Sequence, residues 1–227
     1  MILLLATILP SILIVLFFVL SDKFKEPNAE IIKVFFYGIL ITIPAFFINT
    51  YLSGIWASTQ MDESLRSSFF TAAPVEEGLK LAVLYFLVYK MKDFNEPIDG
   101  IVYGVTVSLG FATLENFYYV YILADYYETT PIYMAFLRSF SAVPAHGIFG
   151  VFMGYFFMRY AFVKRGDNLI FAFVVPFTLH GCYNLFTASN FYISLILIIV
   201  SWIVALKMFS NLKKYQKRKK REYEKKI

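Results

Sequence analysis

Eight side chains that a lipid core would reject sit inside apolar runs of this chain: Glu76, Glu77, Lys80, Glu115, Asn116, His146, His180 and Asn184. A charged group near the middle of a bilayer costs about 2.5 to 3.5 kcal/mol on insertion scales, so such residues face the protein interior and mark a functional site. Carboxylates and imidazoles around a buried wet pocket suit hydrolysis of a peptide bond by two routes. In one, Glu115, His146 and His180, or a subset with one of the paired glutamates, hold Zn²⁺ with an open position while a free glutamate acts as general base. In the other, a glutamate and a histidine activate water without metal, and His180 with Asn184 stabilises the tetrahedral oxyanion. Spacing alone leaves both open. No His-Glu-x-x-His motif is present, and no Ser/His/Asp arrangement is evident.

Helical spacing refines the picture. Glu76 and Lys80 stand at i,i+4 and Glu77 and Lys80 at i,i+3, so either glutamate can pair with the lysine and leave the other free. His180 and Asn184 share a face at i,i+4, presenting an imidazole and an amide to one small volume. His146 and Gly150 repeat that spacing with a residue lacking a side chain, which lets a neighbouring helix or a substrate backbone approach closely.

The elements that must position these groups are membrane spans. The 227 residues are 59% hydrophobic and only 16% charged, where a soluble domain carries roughly a quarter. Mean hydropathy is +0.64. The chain therefore reads as an all-α, polytopic membrane protein, a bundle of about seven transmembrane helices. The expected spans are Met1 to Leu20, Ile31 to Leu52, Phe69 to Tyr89, Ile98 to Leu123, Arg138 to Met158, Leu169 to Phe186 and Phe191 to Phe209. They form one domain, residues 1–210, followed by a basic tail, 211–227. Breakers such as Glu26-Pro27-Asn28, Asn95-Glu96-Pro97 and Thr130-Pro131 separate the spans. Cys182, the only cysteine, has no partner within the chain, so helix packing alone holds the fold.

Cations set the expected orientation. Lys23 and Lys25, Lys90 and Lys92, then Arg159, Lys164 and Arg165, and finally the tail, fall on alternate connections. The other side carries Asp62, Glu63, Asp125 and Glu128 with Arg66. The positive-inside rule then puts the N-terminus outside and the C-terminus in the cytoplasm. The net charge of +5 is concentrated in the tail, which fits an anchor on an anionic leaflet and not nucleic-acid binding. Counted from the outer ends of their helices at 1.5 Å per residue, the glutamates and histidines fall roughly 9 to 12 Å below the outer boundary, in a common layer.

Four motifs in this order, Glu-Glu-x-x-Lys (Glu76, Glu77, Lys80), Phe-x-x-x-Glu-Asn (Phe111, Glu115, Asn116), His-x-x-x-Gly (His146, Gly150) and His-x-x-x-Asn (His180, Asn184), resemble the PrsW family of intramembrane proteases. The resemblance implies a first, site-1 cut in a membrane-anchored anti-sigma factor near the extracytoplasmic face of a bacterial cytoplasmic membrane. It also implies a cascade that releases a sigma factor in a stress response. By analogy Glu76 or Glu77 is the base, His146 and Glu115 position the water or metal, and His180 with Asn184 binds the oxyanion or completes a metal site. The same buried acids and imidazoles would also serve an ion- or proton-coupled transporter, and a non-catalytic scaffold for a partner's membrane helix is a further alternative.

Overall fold

The structure, a computed structural model, describes residues 1–224, the side chains of 219–224 excepted; residues 225–227 of the expected tail lie outside the described residues. The described residues form helices α1 (Ile2–Ser21), α2 (Asn28–Trp56), α3 (Glu63–Arg66), α4 (Ala73–Phe86), α5 (Pro97–Tyr118), α6 (Pro131–Phe140), α7 (Ala142–Val163), α8 (Asp167–Ser189) and α9 (Phe191–Glu224). Six helical stretches are long and apolar enough to cross a bilayer. The seventh expected span is the helical segment 63–86, which Glu76, Glu77 and Lys80 make too polar and too charged to be counted with those six.

That segment is not a uniform helix. A π-helical turn, Ser67–Ala72, joins α3 to α4, and a 3₁₀ turn, Val88–Lys90, follows it. Pro74 sits in the first turn of α4, where its ring would clash with a carbonyl of a regular preceding turn and its missing N–H would leave that carbonyl unbonded; the wider π turn suits both. A second π turn, Tyr119–Leu123, closes α5 just after Glu115 and Asn116.

α5 is the hub, buried along nearly its whole length and packed against α7, α2 and α1. Its approach to α7 depends on glycine. A Cβ on Gly104 would lie 2.5 Å from the Gly150 carbonyl oxygen, and one on Gly150 would lie 2.6 Å from the Gly104 carbonyl oxygen. The neighbour that the small residue after His146 admits is thus helix α5. Around this core α1, α2 and α9 turn large apolar side chains outward, among them Leu5, Phe47 and Ile203, as lipid contact requires.

Two boundaries differ from expectation. The fifth span begins at Pro131 and not at Arg138, and it breaks at Ser141, whose backbone (φ −125°, ψ −78°) separates α6 from α7. Arg138 is therefore an interior residue of α6. The last helix runs unbroken across 210–211, and Gln216 within it is buried against the start of α5 and the end of α1.

Candidate active site

The first two turns of α4 supply three charges whose partners are now distinct. Glu77 and Lys80 are fully buried, and the Lys80 Nζ donates to Glu77 Oε1 at 2.7 Å. Glu76 Oε2 is 4.0 Å from the same nitrogen. The lysine also lies 3.1 Å from His146 Nδ1 and 4.4 Å from the centroid of Phe111, so the first residue of Phe-x-x-x-Glu-Asn covers the ammonium.

Glu77 reaches a second motif as well. Its Oε1 is 2.8 Å from His180 Nδ1. A carboxylate accepts, so Nδ1 carries a proton; in the neutral ring the lone pair is then on Nε2, 3.9 Å from Glu76 Oε2. By the same logic the ammonium donates to His146 Nδ1, and His146 Nε2–H donates to Glu115 Oε2 at 3.1 Å. Both tautomers follow from their partners.

Glu115 Oε2 also accepts from Arg138 Nη2 at 2.6 Å. Arg138 Nε donates to Asn116 Oδ1 at 2.8 Å, and its guanidinium carbon stands 3.8 Å from the centroid of Tyr119. Asn116 in turn donates through Nδ2 to the Thr7 carbonyl at 2.7 Å, which ties the network to α1.

A cavity of about 1270 Å³ opens over these groups, with Glu76, Glu115, Arg138, His146, His180 and Asn184 on its wall. Glu77 and Lys80 stand behind the wall. Glu76 is the one of the two adjacent glutamates that lines the cavity: Asn49 Nδ2 donates to its Oε1 at 3.4 Å, and its Oε2, like that of Glu77, is buried with no hydrogen-bond partner. Ligand atoms of Glu76, His146 and His180 lie within 4.8 Å of one another, a set able to hold a metal ion. Glu115, the carboxylate first grouped with the two histidines, is in an ion pair with Arg138 and 3.1 Å from His146 Nε2, and a paired glutamate, Glu76, stands with the histidines as the other expected grouping allowed.

The expected site residues thus converge, with Asn184 on the cavity wall and Asn116 in the supporting network. Arg138, Asn49 and Tyr119 escaped the sequence. An arginine well inside an apolar run that begins near Ile132 was the available signal for the first. The other two are ordinary span residues until the helices are assembled.

A buried Glu/His/His group within a helical membrane bundle fits a membrane-embedded metal-dependent hydrolase, and comparison with known proteins establishes that class. The profile described as "PrsW family intramembrane metalloprotease" matches residues 26–209. The chain belongs to this family, and so is a peptide hydrolase of the membrane and not the transporter or scaffold that its buried acids also allowed. It is similar to "Protease PrsW" of Geobacillus kaustophilus, 36% identical over 219 residues that cover 92% of each chain. "Protease PrsW" of Clostridioides difficile is 32% identical over 93% of this chain and 91% of its own, and that of Bacillus subtilis is 36% identical over 79% of each. No solved structure matches the chain.

Proposed function

We propose that the chain cuts a membrane-anchored protein, an anti-sigma factor, at the cavity over Glu76, with a metal held by Glu76, His146 and His180. The observation that carries this reading is the 2.8 Å contact between His180 Nδ1 and Glu77 Oε1. With its proton committed to Glu77, Nε2 offers a lone pair beside the unpartnered Oε2 of Glu76, which suits a metal ligand and not an oxyanion donor. His146 would join them on exchanging its Lys80 or its Glu115 contact. A zinc ion there would polarise the scissile carbonyl and acidify a bound water.

The remaining residues have roles of their own. Glu77 and Lys80 hold the two imidazoles in place from behind the wall. Glu115, left on the wall once Glu76 is committed, accepts the proton of the attacking water and returns it to the departing amine. Arg138, Asn116 and Tyr119 fix the orientation of Glu115. Asn184, one turn beyond His180, donates its amide to the developing oxyanion.

The alternation of Lys and Arg between connections supports an N-terminus outside and a cytoplasmic basic tail, and the bacterial relatives support a bacterial cytoplasmic membrane as the setting. A cut on the extracytoplasmic side follows, because the site lies near the ends of α5 and α8 that this orientation turns outward. The resemblance to PrsW is the support for an anti-sigma factor as substrate.

Elemental analysis of purified, active protein tests the proposal. About one zinc per chain is expected, lost together with cleavage of a membrane-anchored reporter in His180→Ala and in Glu76→Gln. Cleavage at the full rate after exhaustive chelation, with no metal bound, would overturn the metal route and return the activation of water to a glutamate and histidine pair.

A further inference from the structure

A second buried polar cluster lies at the other end of the bundle. Asp99 and Glu115 are sixteen residues apart on α5, which at 1.5 Å per residue separates the two clusters by about 24 Å. Asp22 follows α1, Glu26 lies in the loop to α2, and Asp99 sits in the first turn of α5, with exposures of 3%, 7% and 0%. One oxygen from each falls within 4.8 Å of the others.

The donors that reach this cluster are neutral. The Tyr103 hydroxyl donates to Glu26 Oε2 at 2.7 Å, and the amides of Asn95 and Glu96 donate to Asp99 Oδ2 at 2.8 and 2.6 Å. The Phe24 amide donates to Asp22 Oδ1 at 3.1 Å. Gln216 Nε2, from α9, donates to Asp22 Oδ1 at 2.9 Å and to Glu96 Oε2 at 2.6 Å. Two oxygens remain buried with no partner, Asp22 Oδ2 and Asp99 Oδ1. Among the described residues no lysine or arginine is ion-paired with Asp22, Glu26, Glu96 or Asp99.

Buried charges are paired with opposite charges or coordinate a metal, because desolvating an unpaired carboxylate is expensive. Three oxygen donors without nitrogen or sulfur select a hard cation and disfavour zinc or copper.

We infer that Asp22, Glu26 and Asp99 form a second cation site, for Mg²⁺, distinct from the catalytic cavity and independent of the protease reading. The ion ties the α1–α2 loop to the start of α5 at the point where Gln216 docks α9. Few protein ligands suit Mg²⁺, which keeps several of its own waters.

The test is thermal unfolding of the full chain in detergent, first stripped with chelator and then given millimolar Mg²⁺. The Tm is expected to rise by about 3 °C or more. The rise should persist in Glu76→Gln, which removes the catalytic metal set, and disappear in Asp22→Asn and Glu26→Gln. Terbium(III) luminescence excited through Tyr103 gives a readout on wild-type protein, with emission expected to fall as Mg²⁺ displaces the probe. A wild-type Tm and emission indifferent to Mg²⁺ would overturn the inference, as would a Tm rise that survives in Asp22→Asn and Glu26→Gln. Stability that climbs on acidification while Mg²⁺ has no effect would also overturn it, because protons would then fill the cluster.

Discussion

Glu76 and Glu77 are neighbours in sequence and opposites in environment. One lines the cavity, and the other lies behind its wall with Oε1 bonded to both Lys80 and His180. Glu77→Gln should weaken metal binding roughly 10- to 100-fold, as loss of an outer hydrogen-bond partner typically does. It should also destabilise the fold by about 3 to 5 kcal/mol, because Lys80 is left as a buried charge without its partner. Adding Lys80→Met to that variant should restore stability and leave metal affinity low, which thermal melts and metal titration together can resolve. Arg138 makes a two-point contact, Nε to Asn116 and Nη2 to Glu115, that a single ammonium cannot reproduce. Arg138→Lys should therefore lower the turnover of a reporter roughly 10²-fold while the protein still accumulates in the membrane.

The helices hold these residues through their closest crossing. Gly104→Val would drive a side chain into the backbone of α7 one turn beyond His146, and overpacking of this kind costs about 1 to 3 kcal/mol. Melting temperature and cleavage should fall together in that variant. The four motif-bearing segments were legible because acids and histidines stand out in hydrocarbon, and Gly150 pointed to a close neighbour. The division of labour between Glu76 and Glu77 was not, since i,i+3 and i,i+4 spacing permit either ion pair and only the position of His180 on α8 selects Glu77. The break at Ser141 was hidden for a different reason. Arg138, Ser139 and Ser141 thin the apolar run and Pro144 follows in the first turn of α7, but the flanking apolar residues on both sides read as one span, and none of these marks gives the bend that brings Arg138 over Glu115. Pro74 marked a disturbed turn without giving its π form, and the π turn after Asn116 has no comparable residue beside it.

At the scale of the whole molecule the orientation remains the most direct thing to measure. In a Cys182→Ser background, Asp125→Cys is expected to react with a membrane-impermeant maleimide on intact cells, and Lys92→Cys only after permeabilisation. The reverse labelling would invert the bundle and move the cavity to the cytoplasmic side. The 34 residues of α9 have a further consequence. At 1.5 Å each they make a rod of about 51 Å, some 20 Å more than the hydrocarbon is thick. With no hinge along that length, a pull or twist on its projecting end acts on the span as on a lever, and Gln216 is the pin about which that force turns.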